Sequence, residues 1–259
     1  MELVGSLQVS ARGEERIARG HPWVFASDVR DRGNERPGMV QVSGSRGAAI
    51  GFGLFSPRST IALRMFKRGK RAPTREELDE RFRSAMKRRD GLGRSSFRVV
   101  HGEADWLPGI FVDRYGDAMT LQTTCAGADA LQSILIETLV GVLRPSRVVL
   151  RNNAAVRARE GLPQEVALVH GEAPAVGVLE EQPFRWPVDL LAEQKTGAFL
   201  DQVDNHIMAR DYARVEALDA CCYHGGFALQ LADAGCSRVV ACDRSKSALA
   251  VVEERTSQV

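Results

Sequence analysis

Two acidic residues at the ends of strand-like segments, with a pair of glycines between them, form the part of this sequence best suited to chemistry. Val215–Asp219 and Arg238–Asp243 have the apolar pattern of short strands, and Gly225 and Gly226 lie in the turn before a helical segment. Paired glycines let the backbone approach a ligand without a Cβ clash, and the helix start offers free N–H groups and the positive end of its dipole. Asp243 follows Gly225 by 18 residues, a position from which a carboxylate accepts hydrogen bonds from both ribose hydroxyls. The pattern predicts a β-α-β unit that binds a nucleoside.

The glycine spacing also indicates which nucleoside this unit would bind. No GxGxxG sequence is present, and the turn is too short to wrap a pyrophosphate well. A nucleoside without phosphates, such as S-adenosylmethionine (SAM), is therefore favoured over NAD. A β-α-β unit with a purely structural role is the alternative.

A second candidate segment lies just before this unit. Lys195–Asp201 reads Lys-Thr-Gly-x-Phe-x-Asp, whose spacing by itself reveals no mechanism. Its place before the first strand of the unit would set it over the tail of the ligand. An ordinary turn that leads into a helix from Leu200 is the alternative.

The elements that precede these segments begin with a strand-rich region. In residues 1–70, turn-forming glycine and proline separate short strand-like segments, a spacing that suits a small β-barrel. Gly5 and Gly13 leave room for only one short helical element, Glu14–Arg19. The expected strands are Leu7–Val9, Met39–Val42, Ala48–Phe55 and Thr60–Phe66.

A charged segment then joins this region to a mixed α/β region. Residues 67–73 are poor in apolar side chains and indicate a linker. Thr74 begins a helix, with Glu77 three residues later completing a capping box. Further elements are expected at 98–101, 109–113 and 118–123 (strands), 129–143 (a helix), 147–150 (a strand) and within 165–194 (short strands).

Charge is divided unevenly along the chain. Residues 1–98 carry 21 Lys and Arg against 11 Asp and Glu, whereas residues 99–259 carry 14 against 22. A field of one sign attracts polyanions at a distance, so the first part is expected to bind nucleic acid. Because 30 of the 35 basic residues are Arg, an Arg-rich genome is the alternative explanation. The candidate RNA contacts are Arg64, Lys67, Arg68 and Lys70.

Cysteine usage and the start of the chain indicate the compartment. The five cysteines form no CxxC pair, which indicates buried, reduced thiols in a cytosolic protein. Residues 1–15 have neither a basic n-region nor an apolar h-region, and no later apolar run approaches ~18 residues. A cytoplasmic protein without membrane contact is expected. The cysteines are Cys125, Cys221, Cys222, Cys236 and Cys242.

Together these motifs make the chain similar to the bacterial large-subunit ribosomal RNA methyltransferase I family, whose members make 5-methylcytosine with SAM. Gln194–Gln202, Asp219–Phe227 and Asp243 resemble motifs of that family. Further matching segments precede them in the family's order, so the resemblance covers nearly the whole chain. These segments are 21–25, 37–40, 51–53, 59–61 and 103–115.

The resemblance implies a multidomain fold with α/β and α+β parts. An N-terminal PUA-like RNA-binding β-barrel would span residues 1–70, a central mixed α/β domain residues 71–185, and an incomplete Rossmann-like class I methyltransferase sheet residues 186–259. Asp243 would take the ribose of SAM, while the loops before and after the first sheet strand would surround its methionine end. The implied SAM-binding residues are Lys195, Thr196, Gly197, Phe199, Asp201, Asp219, Cys221, Tyr223, Gly225, Gly226, Phe227 and Asp243.

Some features depart from the family's pattern. Ala198 and Leu200 replace bulkier aromatic residues, and His224 replaces a usual Thr, changes expected to alter packing around the pocket. Methylation at C5 of cytosine needs a thiolate that adds to C6. The family carries that Cys and an Asp-Pro-Pro motif on later strands, and neither Asp-Pro-Pro nor Ser-Cys-Ser occurs here. No catalytic residue is therefore assigned: the nucleophile is expected beyond residue 259, and the chain is expected to be C-terminally truncated and inactive alone.

Two other functions stay open at this point. A catalytically inactive RNA-binding protein with a vestigial SAM pocket is the first, and a nucleotide-dependent oxidoreductase is the second. The expected partner is RNA, ribosomal RNA above all, no membrane is expected, and a homodimer is left open.

Several conspicuous side chains receive structural interpretations. Trp23, after Pro22, is favoured as a core or barrel-lid residue over a base-stacking platform. Acidic residues around a strand-turn-strand at 103–113 are expected to bond turn backbone rather than perform acid-base chemistry. Histidines at three places show no pairing typical of a metal site, so no metal is expected. They are His101, His170 and His206.

Overall fold

The computed structural model describes residues 1–31, 35–192 and 198–257. The chain divides into two compact units, one of Met1–Leu179 with Trp186–Ala198, the other of Glu180–Arg185 with Phe199–Val259. Its strands are β1 (Gly5–Val9), β2 (Trp23–Val24), β3 (Val29–Asp31), β4 (Gly38–Ser43), β5 (Ala49–Phe55), β6 (Leu63–Arg68), β7 (Ser96–His101), β8 (Ile110–Tyr115), β9 (Ala118–Thr123), β10 (Arg147–Asn152), β11 (Glu165–His170), β12 (Val176–Glu181), β13 (Phe184–Asp189), β14 (Glu216–Ala220) and β15 (Arg238–Cys242). Its α-helices are α1 (Ala11–Ala18), α2 (Arg75–Lys87), α3 (Ala126–Asp129), α4 (Gln132–Leu143), α5 (Ala155–Arg159), α6 (Val203–Ala209), α7 (Gly226–Asp233) and α8 (Lys246–Thr256).

The first unit begins with a six-stranded sheet in the order β2-β6-β5-β4-β1-β3. Neighbouring strands pair antiparallel except β1 and β4, which are parallel. The four strands predicted in this region are present. The short helix, predicted to start at Glu14, begins instead at Ala11, because the Ser10 hydroxyl caps it by accepting the N–H of Gly13. Gly13 therefore lies inside the helix.

A second sheet of the first unit has the order β11-β10-β9-β8-β7, with β9 and β10 parallel and joined through α3 and α4. The capping box at the start of α2 is confirmed: the Thr74 hydroxyl accepts the Glu77 N–H, and the Glu77 carboxylate accepts the Thr74 N–H. The helix predicted at 129–143 is α4, which begins later, at Gln132, because Leu131 before it has a non-helical φ of −99° and ψ of 7°; the short α3 precedes it.

One hydrophobic core serves both sheets of the first unit. Phe52, Leu54 and Phe66 of the first sheet pack in the same buried cluster as Leu78 and Phe82 of α2. Burying such side chains is worth about 1.5–3 kcal/mol each. The charged segment predicted as a linker thus joins two sheets with a common core.

The second unit contains the predicted β-α-β arrangement. β14 and β15 pair in parallel, with Asp219 opposite Ala241, and α7 connects them. Leu229 of α7 and Val252 of α8 are buried. Parallel strands place their carboxyl ends at one edge of a sheet, so the loops after β14 and β15 meet there.

Among the described residues, none of the helices combines the length and the apolar character needed to cross a bilayer.

Candidate functional site

Asp219, near the end of β14, accepts a hydrogen bond from the start of α7. Its Oδ2 accepts the N–H of Ala228, in the first turn of α7, at 3.0 Å. Burial raises the pKa of Asp219 above its ordinary value, and the nearby charge of Asp243 raises it further, while the bond from Ala228 and the proximity of His206 lower it in part. Two predicted cofactor-binding acids therefore lie within electrostatic reach of each other.

Asp243, just past the end of β15, joins the loops that follow the two strands. Its Oδ1 accepts the Ser245 N–H at 2.8 Å, and its Oδ2 accepts the Tyr223 N–H at 2.9 Å. These bonds, from Ser245 first and Tyr223 second, hold the pKa of Asp243 below its usual range. The carboxylate is ionised at neutral pH, partly exposed, and fixed at the loop junction.

The loop after β14 has an unusual backbone. Cys221 and Tyr223 have left-handed φ values of 64° and 49°, and Gly225 follows at 77°. A left-handed residue other than glycine costs roughly 1–2 kcal/mol, and such strain persists only where neighbours impose it. Here the Cys222 N–H donates to the Cys242 carbonyl at 2.9 Å and the Tyr223 N–H to Asp243. Hydrogen bonds to the end of β15 thus determine the loop's conformation.

The two glycines face protein groups at close range. A Cβ at Gly225 would lie 3.1 Å from a methyl group of Val252. A Cβ at Gly226 would lie 2.2 Å from Cε1 and 2.4 Å from Nδ1 of His206, inside van der Waals contact. Besides any ligand, Gly226 therefore makes room for the imidazole of His206.

His206 belongs to a buried polar cluster that the sequence analysis missed. Its Nδ1 lies 3.1 Å from Glu181 Oε1, and its ring meets the Phe227 ring edge-on with centroids 4.5 Å apart. Gln230 is fully buried and donates to the carbonyls of Glu181, at 3.2 Å, and Gln182, at 2.9 Å. The cluster ties α6, α7 and the segment Glu180–Arg185 together within the second unit. Phe227, predicted to bind the cofactor, packs on His206.

Aromatic rings line the other side of the strained loop. Phe199 and Tyr223, both predicted to bind the cofactor, meet edge-on with centroids 5.1 Å apart. Tyr223 stacks on His224 with centroids 3.8 Å apart and ring planes 15° apart. Burial, with a contribution from the Arg255 charge, lowers the pKa of His224 to about 4. His224 is thus a neutral stacking partner at physiological pH.

The remaining predicted cofactor-binding residues are less informative. Lys195, Thr196 and Gly197 lie outside the described residues. Asp201 is exposed, and its carboxylate accepts a hydrogen bond from its neighbour Gln202 at 3.4 Å. Their part in cofactor binding stays a prediction.

The prediction that the cysteine thiols are buried is wrong for two of the five. Cys221 and Cys242 are exposed, because Cys221 lies in the strained loop and Cys242 ends an exposed strand. Cys125 and Cys222 are buried, and burial raises the pKa of both thiols. Both are therefore poor nucleophiles. Across the residues that the structure describes, no group of His, Cys, Asp and Glu could hold a metal ion.

The candidate RNA contacts divide into buried and exposed side chains. The side chain of Arg64 is only 10% exposed, with its guanidinium 3.7 Å from the carboxylates of Glu103 and Glu160. Lys67 Nζ lies 2.5 Å from Oε1 and 2.6 Å from Oε2 of Glu77. Arg64 thus belongs to an internal ion-pair network, contrary to the surface position expected of it. The exposed candidates are Arg68 and Lys70.

A basic groove runs along α1 of the first unit. It encloses about 620 Å³. Beneath it, the guanidinium of Arg12 lies 2.5 Å from the buried carboxylate of Asp28, which fixes one wall. Arg16 lies 3.8 Å from the same carboxylate and Arg19 lies 2.6 Å from Glu15, so three arginines against two carboxylates leave a small positive excess that suits an anionic ligand. The groove is lined by Arg12, Glu15, Arg16, Arg19, Gly20, His21 and Pro22.

Sequence comparison relates this chain to RNA-modifying enzymes. Residues 7–68 match the model of a PUA-like domain. "Ribosomal RNA large subunit methyltransferase I" from Shigella boydii is 34% identical over 95% of this chain and 65% of its own length. The protein of the same name from Escherichia coli is 35% identical with the same coverage, and that from Aliivibrio fischeri is 33% identical over 92% of this chain and 63% of its own length. The chain thus spans about 65% of the length of the curated relatives that it matches.

Comparison with solved structures agrees on the fold. A Streptococcus mutans protein described as a SAM-dependent methyltransferase superposes with a TM-score of 0.80 at 17% identity, covering 98% of this chain and 67% of that one. A second structure, described as a methyltransferase complexed with SAH (S-adenosylhomocysteine), gives a TM-score of 0.81 at 16% identity, covering 98% and 66%. Over 95% of its length, this chain is therefore a homologue of the ribosomal RNA large subunit methyltransferase I proteins, and it combines a PUA-like domain with the fold of SAM-dependent methyltransferases.

Proposed function

We propose that this chain acts in the SAM-dependent methylation of ribosomal RNA, with the loops after β14 and β15 holding the cofactor. The observation that carries the proposal is the ionised, partly exposed carboxylate of Asp243, fixed at the junction of these loops. Methyltransferase relatives at 33–35% identity support it. The proposed target is cytosine C5 in 23S ribosomal RNA, as in the family that the chain resembles.

The residues at this edge of the sheet fit a nucleoside. Each carboxylate oxygen of Asp243 accepts one backbone N–H in the structure and has capacity for a second hydrogen bond, as two ribose hydroxyls would require. Tyr223 and Phe199 offer aromatic surface on the neighbouring side. The solved structure described as a methyltransferase complexed with SAH supports a ligand of this class.

The residues of the candidate site have distinct roles in this proposal. SAM supplies an activated methyl group when bound. Asp243 binds and orients the ribose, Asp219 holds the start of α7 against the sheet edge, and the His206 cluster fixes the position of α6 beside α7. No described side chain is assigned the role of nucleophile. Burial raises the pKa of the Cys125 and Cys222 thiols, which makes these two unsuited to it.

The first part of the chain would recognise the RNA. The proposed division assigns residues 1–70 to an RNA-binding barrel, residues 71–185 to a central domain and residues 186–259 to the cofactor-binding part. The PUA-like match, the basic groove on α1 and the exposed Arg68 and Lys70 support RNA as the partner. Ribosomal RNA is the substrate named for the relatives.

Asp243→Ala is expected to weaken SAH binding roughly 10- to 100-fold, because ligand hydroxyls lose a charged acceptor. Isothermal titration of the 259-residue chain with SAH measures the effect. Glu254→Ala, which removes an exposed carboxylate from α8 of the same unit, is the matched control and should bind like the wild type. Asp243→Asn keeps an acceptor for only one of the two loop N–H groups, and the circular dichroism spectra of both Asp243 variants show whether the fold survives where SAH binding is lost. Equal SAH affinity in all four proteins would refute the ribose role.

RNA binding by this chain is expected to weaken as salt rises, because phosphate contacts release counterions. In filter-binding titrations with a structured 23S ribosomal RNA fragment, the double change Arg68→Ala and Lys70→Ala should reduce the slope of log affinity against log salt by about 1–2. Arg214→Ala with Arg238→Ala, two exposed arginines of the second unit, is the control. An affinity independent of salt would contradict an electrostatic RNA interface.

A further inference from the structure

Trp106 presents an indole ring to solvent from a strained backbone. Its side chain is 60% exposed, and its φ is 59°, in the left-handed region that bulky residues avoid. The two residues beside it, Asp105 and Leu107, are almost completely buried. A bulky residue in the left-handed region is strained, and strain of this kind concentrates at functional sites.

The support beneath this ring is rigid. Asp105 accepts hydrogen bonds from Arg88, from Arg89 at 2.6 Å and from the His101 N–H at 2.6 Å. The Leu107 N–H donates to the Gly102 carbonyl at 3.0 Å, which closes the turn. A ring on such a support loses little conformational entropy when a ligand stacks on it.

Three arginines contact the turn that carries the ring. Arg81 donates hydrogen bonds to the carbonyls of Trp106 and Phe66, and its guanidinium lies 3.8 Å from the centroid of the Phe66 ring. Among the described residues no carboxylate lies within ion-pair distance of Arg81, whereas Arg88 and Arg89 share the single carboxylate of Asp105. Burial lowers the pKa of Arg81 to about 10, so it is cationic at neutral pH. The charge of Glu77 also acts on Arg81. Arg81, Arg88 and Arg89 still outnumber Asp105 and Glu77, so the turn that carries Trp106 has a small excess of positive charge.

Of the three tryptophans, Trp106 is the one free to stack. Trp186 is buried, and the indole N–H of Trp23 donates to Glu103 at 2.6 Å from a partly buried position. The partly buried position of Trp23 fits its interpretation as a lid residue better than that as a base-stacking platform. In the sequence, Trp106 lies within the segment 103–115, and nothing in its spacing distinguishes it.

We propose that Trp106 is a stacking platform for an unpaired base of the RNA substrate, with Arg81 and Arg88 placed toward the adjoining phosphates. Stacking on an exposed aromatic ring beside arginines is how single-stranded RNA is held without base-specific contacts. Protein interfaces are also enriched in Trp and Arg, so RNA is favoured here by the PUA-like match of residues 7–68 and the basic excess of residues 1–98. The proposal rests on the proposed RNA function and adds the residue, and the unpaired form of RNA, that the first unit engages.

The test compares an unpaired RNA with a duplex. A fluorescein-labelled oligouridylate is titrated with the wild type, Trp106→Ala and Trp106→Phe, and an RNA duplex of the same length serves as the second ligand. Trp106→Ala should lose roughly tenfold or more of its oligouridylate affinity, while Trp106→Phe stays near the wild type and duplex binding changes little. Tyr212→Ala removes an exposed aromatic ring of the second unit and should have no effect. Unchanged thermal unfolding of Trp106→Ala shows that its fold is intact.

Each outcome separates the platform from the RNA function. Equal oligouridylate affinity for the wild type and Trp106→Ala, with RNA binding otherwise present, would overturn the platform alone. A wild-type chain that binds neither RNA would overturn the RNA function and the platform together. Equal losses of affinity for oligouridylate and duplex would assign Trp106 a general role in RNA binding and would also overturn the proposal.

Discussion

Gly226→Ala is expected to destabilise the second unit by about 1–3 kcal/mol and to remove most of its SAH affinity. The added methyl group would lie 2.2 Å from the ring of His206, which cannot withdraw freely because Glu181 and Phe227 hold it on two sides. Either α7 or α6 must shift, and α7 begins directly after the loop that carries the proposed cofactor contacts. Urea unfolding monitored by far-UV circular dichroism measures the loss of stability, and calorimetric titration with SAH measures the loss of affinity.

A control variant and a double variant test whether contact with His206 causes these effects. Gly141→Ala places a methyl group in a helix of the first unit where nothing lies within 4 Å, and should leave stability unchanged or raise it by up to about 1 kcal/mol. Combining Gly226→Ala with His206→Ala removes the clash and should recover part of the SAH affinity. A Gly226→Ala protein as stable as the wild type would show that His206 does not occupy this space.

Asp105→Ala is expected to destabilise the first unit by about 3–5 kcal/mol, the loss typical of breaking a buried ion pair. The side chain of Asp105 is almost completely buried, and its removal leaves Arg88, Arg89 and the His101 N–H without their acceptor. Urea unfolding at neutral pH measures the loss. Asp90→Ala is the control: it removes an exposed carboxylate just after α2, and its free energy of unfolding should lie within about 0.5 kcal/mol of the wild-type value.

The same carboxylate gives a pH dependence of known sign. Burial alone would raise the pKa of Asp105, but hydrogen bonds from Arg89 and Arg88 outweigh it and hold the pKa below its ordinary value. Its contribution to stability is therefore complete above the unfolded pKa of about 3.9 and is lost as pH falls through that value toward the folded pKa. The wild type should lose stability in this range more steeply than Asp105→Ala. Parallel acid curves for the two proteins would contradict the ion pair.

Local patterns in the sequence predicted most of the elements near the candidate site. The apolar segments of β14 and β15, with a glycine turn between them, predicted the β-α-β unit, because strand propensity and the need for a left-handed residue at Gly225 are local requirements. The capping box of α2 was predictable for the same reason, since its two partners are three residues apart.

Long-range partners were beyond such reasoning. Arg64 lies in a strongly basic run and was expected at the surface, yet β6 turns it toward Glu103 and Glu160, which come from distant parts of the chain. His206 and Glu181 are 25 residues apart on separate elements, so no spacing links them. The exposure of Trp106 depends on the left-handed turn that Asp105 and its arginines stabilise, which the sequence motif alone does not reveal.

Calorimetric titration of the wild-type 259-residue chain with SAH and, in parallel, with NADH tests the nucleoside site most directly. The fixed carboxylate of Asp243 and the short glycine turn predict that SAH binds and NADH does not, because the turn offers little room for a pyrophosphate. Binding of SAH with no heat from NADH is the predicted result. NADH binding as tight as SAH, or no SAH binding by a chain whose circular dichroism shows the second unit folded, would contradict it.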